Sequence, residues 1–176
     1  MALDRADALT AFSDASHRIV DDAHPDLAHK LRLRPHAPLG PVPRLAPAHG
    51  RRPVIGVPGH LDEQKGASVV PTLAQIIAKT YEARLVVLGE AAPDCALPRS
   101  VTMLGGYVLD DLPHLVARHQ IGGWLIPSLW PETFSYVTHE ALATGLPTVG
   151  FDLSGQGMRC VPRIWACGFA AKRWIG

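Results

Sequence analysis

From residue 53 onward the chain alternates short apolar runs with stretches of helical spacing. The runs are PVIGVPG (53–59), ARLVVLGE (83–90), SVTMLGGY (100–107), GGWLIPS (122–128) and PTVGFD (147–152). Between them lie 67–81, DDLPHLVARHQ (110–120) with Pro113 in its first turn, and SYVTHEALATG (135–145) closed by Gly145. In 67–81, Val70, Leu73, Ile76, Ile77 and Tyr81 recur at helical spacing. Strands separated by helices pair in parallel, because each crossover returns the chain to the same end of the sheet. The runs lack polar alternation, as strands covered on both faces do. The sequence therefore predicts an α/β fold: a Rossmann-like parallel sheet with helices on both faces. Ligands of such sheets bind beyond the carboxyl ends of the strands. Those ends are Pro58-Gly59-His60, Gly89-Glu90, Gly105-Gly106-Tyr107, Pro127-Ser128 and Asp152.

The chain before residue 53 has another character. Residues 7–13 (DALTAFS) read as a short buried strand, and 14–23 as a helix with Ser13 or Asp14 as N-cap. Pro25 starts a second short helix, where proline is tolerated. LRLRPH (31–36) is extended, because Arg34 precedes a proline. From Pro35 to Pro53 stand six prolines, with Gly40 and Gly50. Such a run continues neither a helix nor a central strand, and reads as a semi-rigid linker. The predicted divisions are 1–36, a linker at 37–52, an α/β domain at 53–157 and a tail at 158–176. The tail concentrates Cys160, Cys167, Trp165 and Trp174, and has no acidic residue. It has two readings. The favoured one is a frameshift or truncation near Gly157; the other is a genuine terminal helix over 163–174 that lays Ile164, Trp165 and Phe169 on the domain.

Composition removes several function classes. Lysine and arginine number 17 against 16 acidic residues, so no general basic surface exists for nucleic acid. Three cysteines match no common zinc spacing and cannot all pair, so reduced thiols of a cytoplasmic protein are expected. MALDRADAL lacks the apolar core of a signal peptide, and no run approaches the length that spans a bilayer. Peripheral contact at the inner face of a membrane is the one membrane role left open. No carboxylate-supported histidine pair suggests a metal. The G-x-S-x-G of a hydrolase and the G-x-G-x-x-G of a dehydrogenase are both missing.

The chemistry concentrates in SLWPETFSYVTHEALATGLPTVGFD (128–152), where Glu132 and Glu140 are separated by seven residues. Glu132 lies on a loop after a strand, and a helix begins near Phe134 or Ser135. The amides of a helix N-terminus favour a phosphate or a sugar hydroxyl. Glu140, more than a turn further on, could hold a vicinal diol such as a ribose through its two oxygens. On spacing alone, a first-turn acid and a solvated helix glutamate explain the pair equally well. Trp124 and Trp130 read as core and pocket wall.

The segment resembles the C-terminal domain of family 4 glycosyltransferases. Their hallmark, E-x-x-x-x-x-x-x-E followed by A-x-x-x-G-x-P, is Glu132, Glu140, Ala141, Gly145 and Pro147 here. The variant SLWPETFSY is similar to enzymes of bacterial polysaccharide and O-antigen synthesis. Gly59-His60-Leu61-Asp62-Glu63-Gln64-Lys65-Gly66 resembles the family's glycine loop and K-G pair, with His60 where an arginine is common. Gly105-Gly106-Tyr107-Val108, followed by Asp111-Leu112, is similar to the family's G-x-V loop and acidic helix start.

The resemblance implies the donor-binding half of a GT-B enzyme, preceded by a remnant of its N-terminal acceptor domain. The implied reaction is retaining transfer of a sugar from a nucleotide sugar to a glycan or lipid-linked acceptor. Glu132 would be the catalytic carboxylate, on the sugar's hydroxyls. Gly59, His60, Lys65, Tyr107, Thr133, Phe134, Ser135 and Glu140 would bind the donor. Lys65 and the helix amides would hold the diphosphate, and Glu140 the ribose. No metal and no cofactor are implied. The rival from another class is a catalytically inactive, truncated nucleotide-binding module. A nucleotide-sugar epimerase of the same architecture is disfavoured by the Glu132/Glu140 spacing.

Overall fold

Ser13 starts the first helix in the way its side chain predicts: its Oγ accepts the Ser16 amide at 3.1 Å. This helix, α1 (Asp14–Ala23), follows strand β1 (Leu9–Ala11). A 3-10 helix at Pro25–Lys30 then leads to β2 (Leu31–Leu33), which pairs in parallel with β1 as a two-stranded ribbon. In β1 only Ala11 is fully buried, so the ribbon is less covered than the predicted buried strand. Two strands have few neighbours to cover them. The computed structural model describes residues 5–37, 40–48, 50, 52–130 and 132–151. The strand end at Asp152, together with the tail 158–176 and its Cys160 and Cys167, lies outside the described residues.

The remaining strands are β3 (Val54–Pro58), β4 (Arg84–Leu88), β5 (Thr102–Met103), β6 (Ile121–Ile126) and β7 (Thr148–Gly150). They form one parallel sheet in the order β5-β4-β3-β6-β7. The chain steps outward from β3 to β5, then returns to the other side of β3 for β6 and β7. The topological switch, where such sheets bind ligands, therefore lies between β3 and β6.

Helices cover both faces, as the unalternating strands require. On one face Val57, Leu85 and Val87 pack with Val70 and Ala74 of α2 (Val70–Tyr81). On the other, Val54, Val86, Leu88 and Trp124 pack with α3 (Leu112–His119), through Leu112 and Val116, and with α4 (Tyr136–Ala143), through Ala141. A register shift assists the second face. Val54 pairs with Ile121 but Ile55 with Gly123, so Gly122 is an extra residue in β6. Such a bulge resets the alternation, and Ile121 and Trp124 fall on the same side. Gly56 makes room for them: a Cβ there would overlap the Trp124 ring.

Two further elements differ from expectation. The helix expected from residue 67 begins at Val70, after a series of turns over 63–69. Pro71 explains this, because proline fits only the first turn of a helix. The buried line of α2 runs through Val70 and Ala74, with Ile77 packed beside it, while Ile76 and Tyr81 are exposed. The third run, SVTMLGGY, yields only Thr102 and Met103 as strand, both exposed. It is an edge strand paired on one side, and Gly105 turns it away at a φ of 80°. The proline-rich stretch is docked on the sheet domain: the Leu45 amide donates to the Thr144 carbonyl at 2.7 Å, and Leu45 packs against the α3/α4 cluster. Among the described residues no helix is long and apolar enough to cross a membrane.

Candidate functional site

The loop after β3 carries Gly59, His60, Lys65 and Gly66, and hydrogen bonds tie it to both neighbouring strand ends. Toward β4, Gly59 donates to the Leu88 carbonyl and Leu61 to the Glu90 carbonyl, each at 2.8 Å. Toward β6, the Gln64 carbonyl accepts the Leu129 amide at 2.9 Å and the Ser128 hydroxyl at 3.3 Å. Inside the loop Asp62 accepts the Lys65 amide at 2.8 Å, a side-chain-stabilised turn. Gly66 is required by two constraints. Its φ is 87°, and a Cβ would overlap the Pro127 carbonyl at the end of β6. The lysine-glycine pair thus presents Lys65 at the switch point, with the glycine permitting the backbone contact.

Across the switch point stands Glu132, on the loop between β6 and α4. Lys65 Nζ lies 3.0 Å from Glu132 Oε1. The lysine side chain keeps 40% of its exposure and the glutamate only 10%. The carboxylate is therefore largely removed from water, while the ammonium remains open to a ligand.

Glu140 lies inside α4, facing the Gly105–Tyr107 loop beyond β5. The Tyr107 hydroxyl donates to Glu140 Oε2 at 3.1 Å. Burial raises the Glu140 carboxyl above its ordinary range, and the Tyr107 hydrogen bond works against that rise. Tyr107 is raised as well, by burial first, then by the charge of Glu140 and their hydrogen bond. The pair holds a carboxylate with one oxygen engaged, one turn beyond the helix N-terminus.

That N-terminus is built by Ser135, the N-cap. It is buried and accepts both the Thr138 amide, at 3.4 Å, and the Thr138 hydroxyl, at 2.8 Å. His139 turns toward the helix start: its ring stacks on Phe134 at 4.1 Å and its Nδ1 lies 2.6 Å from the Ser135 carbonyl. His60 and Thr133 are exposed. Trp130, expected as a pocket wall, is 56% exposed. The loop is anchored through the neighbouring Leu129 amide instead, which leaves the Trp130 ring in solvent.

The second half of the motif is scaffolding. Ala141, Thr144 and Leu146 are buried. Thr144 Oγ1 accepts the Trp124 indole N–H at 2.9 Å and donates to the Ala141 carbonyl at 2.6 Å. The Pro147 carbonyl accepts the Trp124 amide at 2.7 Å. A-x-x-x-G-x-P therefore fixes the far end of α4 to β6, which aims the N-terminus at the switch point. Sequence reasoning missed Thr144, and it missed Asp62, whose place three residues before Lys65 is a turn signal.

A model of the family "Glycosyl transferases group 1" matches residues 52–164 of the 176. The chain belongs to this family. A search of curated proteins by sequence finds no match. Among solved structures, this group 1 glycosyltransferase chain is similar to the lipopolysaccharide outer core galactosyltransferase WaaB. The identity is 19%, the TM-score 0.65, and 90% of this chain and 46% of that one are covered. Anabaena HepE in complex with UDP gives 20% identity, a TM-score of 0.64, and coverage of 92% and 49%. The pneumococcal O-GlcNAc transferase GtfA, in complex with UDP and GlcNAc, gives 17%, 0.67, and coverage of 98% and 36%. The shared fold is GT-B. The chain spans half or less of the length of these glycosyltransferases.

Proposed function

We propose that this chain is the donor-binding half of a retaining glycosyltransferase that moves a sugar from a nucleoside-diphosphate sugar to a glycan or lipid-linked acceptor. The observation that carries the reading is the meeting of Lys65 and Glu132 at the switch point, 3.0 Å apart beside the start of α4. Lys65 and the amides near Phe134 and Ser135 hold the diphosphate, with Gly59 keeping the loop close and His60 and Thr133 at its rim. Glu140 accepts the ribose hydroxyls, and Tyr107 lies toward the base. Glu132 holds the sugar's hydroxyls beside the reacting carbon. The bond between that carbon and the diphosphate breaks with its electrons leaving on phosphate, and the acceptor oxygen forms the new bond as its proton passes to the departing phosphate oxygen. Positive charge already aimed at the leaving group stabilises this transition state. Lysine and helix amides supply it, so the reading calls for no metal and no cofactor. Support also comes from family membership and from UDP in two of the similar structures.

Polysaccharide or O-antigen synthesis at the cytoplasmic face of a membrane is the setting this reading suggests. The 176 residues by themselves then bind donor but transfer little sugar, because the acceptor approaches across a cleft from the other half of a GT-B enzyme. Calorimetric titration of the chain with UDP, GDP, ADP and their sugar conjugates tests it. Binding of a nucleoside diphosphate is expected. Binding of none of them overturns the reading, and efficient transfer by the 176-residue chain overturns its division of labour.

A further inference from the structure

The aromatic residues at the start of α4 are gripped from outside the sheet domain. Phe134 stacks on His139 at 4.1 Å, with ring planes 19° apart, and meets the edge of Tyr136 at 4.9 Å. His36 closes the group, 4.8 Å from Phe134 and 5.2 Å from Tyr136. Behind it Phe12 stacks on His36 at 4.1 Å and 22°. Phe12 directly follows β1, and His36 comes three residues after β2. The two strands are parallel, and the Arg34 amide extends their ladder to the Ala11 carbonyl at 2.8 Å. Both rings therefore leave the same end of the ribbon, and that end abuts the start of α4.

Phe134 immediately precedes the N-cap Ser135, so the place of its ring sets where the first amides of α4 stand. Glycine-free loops of this kind keep several backbone states unless side chains select one. His139 and Tyr136 belong to α4 itself and move with it. His36 and Phe12 belong to the ribbon, and through them Phe134 is held against a second element.

We propose that His36, backed by Phe12, is a positioning residue for the donor diphosphate: it braces Phe134 and so fixes the amides that receive phosphate. The ribbon thereby takes part in the donor site without touching the donor. The proposal rests on the donor-site reading given above. Its signature is selective. A brace on the phosphate end affects the diphosphate and leaves the nucleoside end, at Glu140 and Tyr107, unaffected.

The test uses whichever of UDP, GDP and ADP the wild-type chain binds, together with the matching nucleoside. His36→Ala should weaken the diphosphate about threefold to tenfold, the scale of one lost aromatic contact, and leave the nucleoside unchanged. His36→Phe should restore the diphosphate affinity. Phe12→Ala should act in the same direction, and the double variant should lose little more than His36→Ala alone, as residues acting through one brace do. Circular dichroism and thermal midpoints establish that each variant is folded. Equal loss for diphosphate and nucleoside, or unchanged diphosphate affinity in folded His36→Ala, overturns the brace. If His36→Ala fails to fold, Phe12→Ala decides by the same two criteria. A wild-type chain that binds no nucleoside diphosphate overturns the donor-site reading, and the brace with it.

Discussion

Lys65 Nζ and Glu132 Oε1 lie 3.0 Å apart, one on the loop after β3 and the other on the loop after β6. The lysine is 40% exposed, so the pair contributes little to stability, about 1 kcal/mol or less. A diphosphate, with more charge than one carboxylate, can take the lysine over at small cost. Lys65→Ala should weaken binding of a nucleoside diphosphate by about 1–3 kcal/mol, the scale of a charge-assisted contact. Glu132→Gln should leave that affinity equal or higher, because it removes the lysine's competing partner. Calorimetry on both variants checks the pair. Unchanged affinity in both Lys65→Ala and Glu140→Gln removes this site assignment.

Glu140 makes stability depend on pH. Its carboxyl is raised above 4.5, chiefly by burial. The folded chain therefore keeps this proton to a higher pH than the unfolded chain does. Between the ordinary value and the raised one the native state binds more protons, so stability falls as pH rises through that window. Glu140→Gln has no such proton. It should match the wild type near about pH 4 and exceed it near about pH 7. Thermal midpoints at the two pH values decide this; a difference that does not change with pH speaks against it.

Gly66→Ala meets both a left-handed backbone, at φ 87°, and the Pro127 carbonyl. It should cost about 1–3 kcal/mol of stability and weaken nucleotide binding, since the displaced loop carries Lys65. Denaturant unfolding gives the first quantity and titration the second. An alanine variant as stable as the wild type contradicts the contact.

Thr144→Val removes the acceptor of the Trp124 indole N–H, both residues being buried. An unsatisfied buried donor should cost about 1–3 kcal/mol. In a Trp124→Phe background the same change should cost clearly less, because the indole donor is gone and only the longer bond from the Leu146 amide, at 3.3 Å, is lost. A double-mutant cycle reads the coupling, and strict additivity would show that the hydrogen bond carries no weight.

The elements were legible in the sequence wherever their cause is local. Apolar runs without polar alternation marked the strands, and the central ones, β3 and β4, are covered on both faces. Ser13 and Ser135 mark helix starts, and Gly145 a helix end, because one side chain or one backbone angle suffices. The motif residues pointed to a donor site before any contact was known. Tertiary structure alone decided which of them meet. Lys65 faces Glu132 because the strand order reverses at β3 and brings β6 beside it. Tyr107 reaches Glu140 because the short edge strand β5 ends in a turn at Gly105. Ile121 and Trp124 share a face because one extra residue in β6 shifts the register. His36 reaches Phe134 because two strands at the other end of the chain happen to pair in parallel. Each of these depends on which distant surfaces bury together, and that is a property of the whole chain. Caps, turns and periods depend only on the torsions and hydrogen bonds of a few neighbouring residues, which is why the sequence could state them unaided.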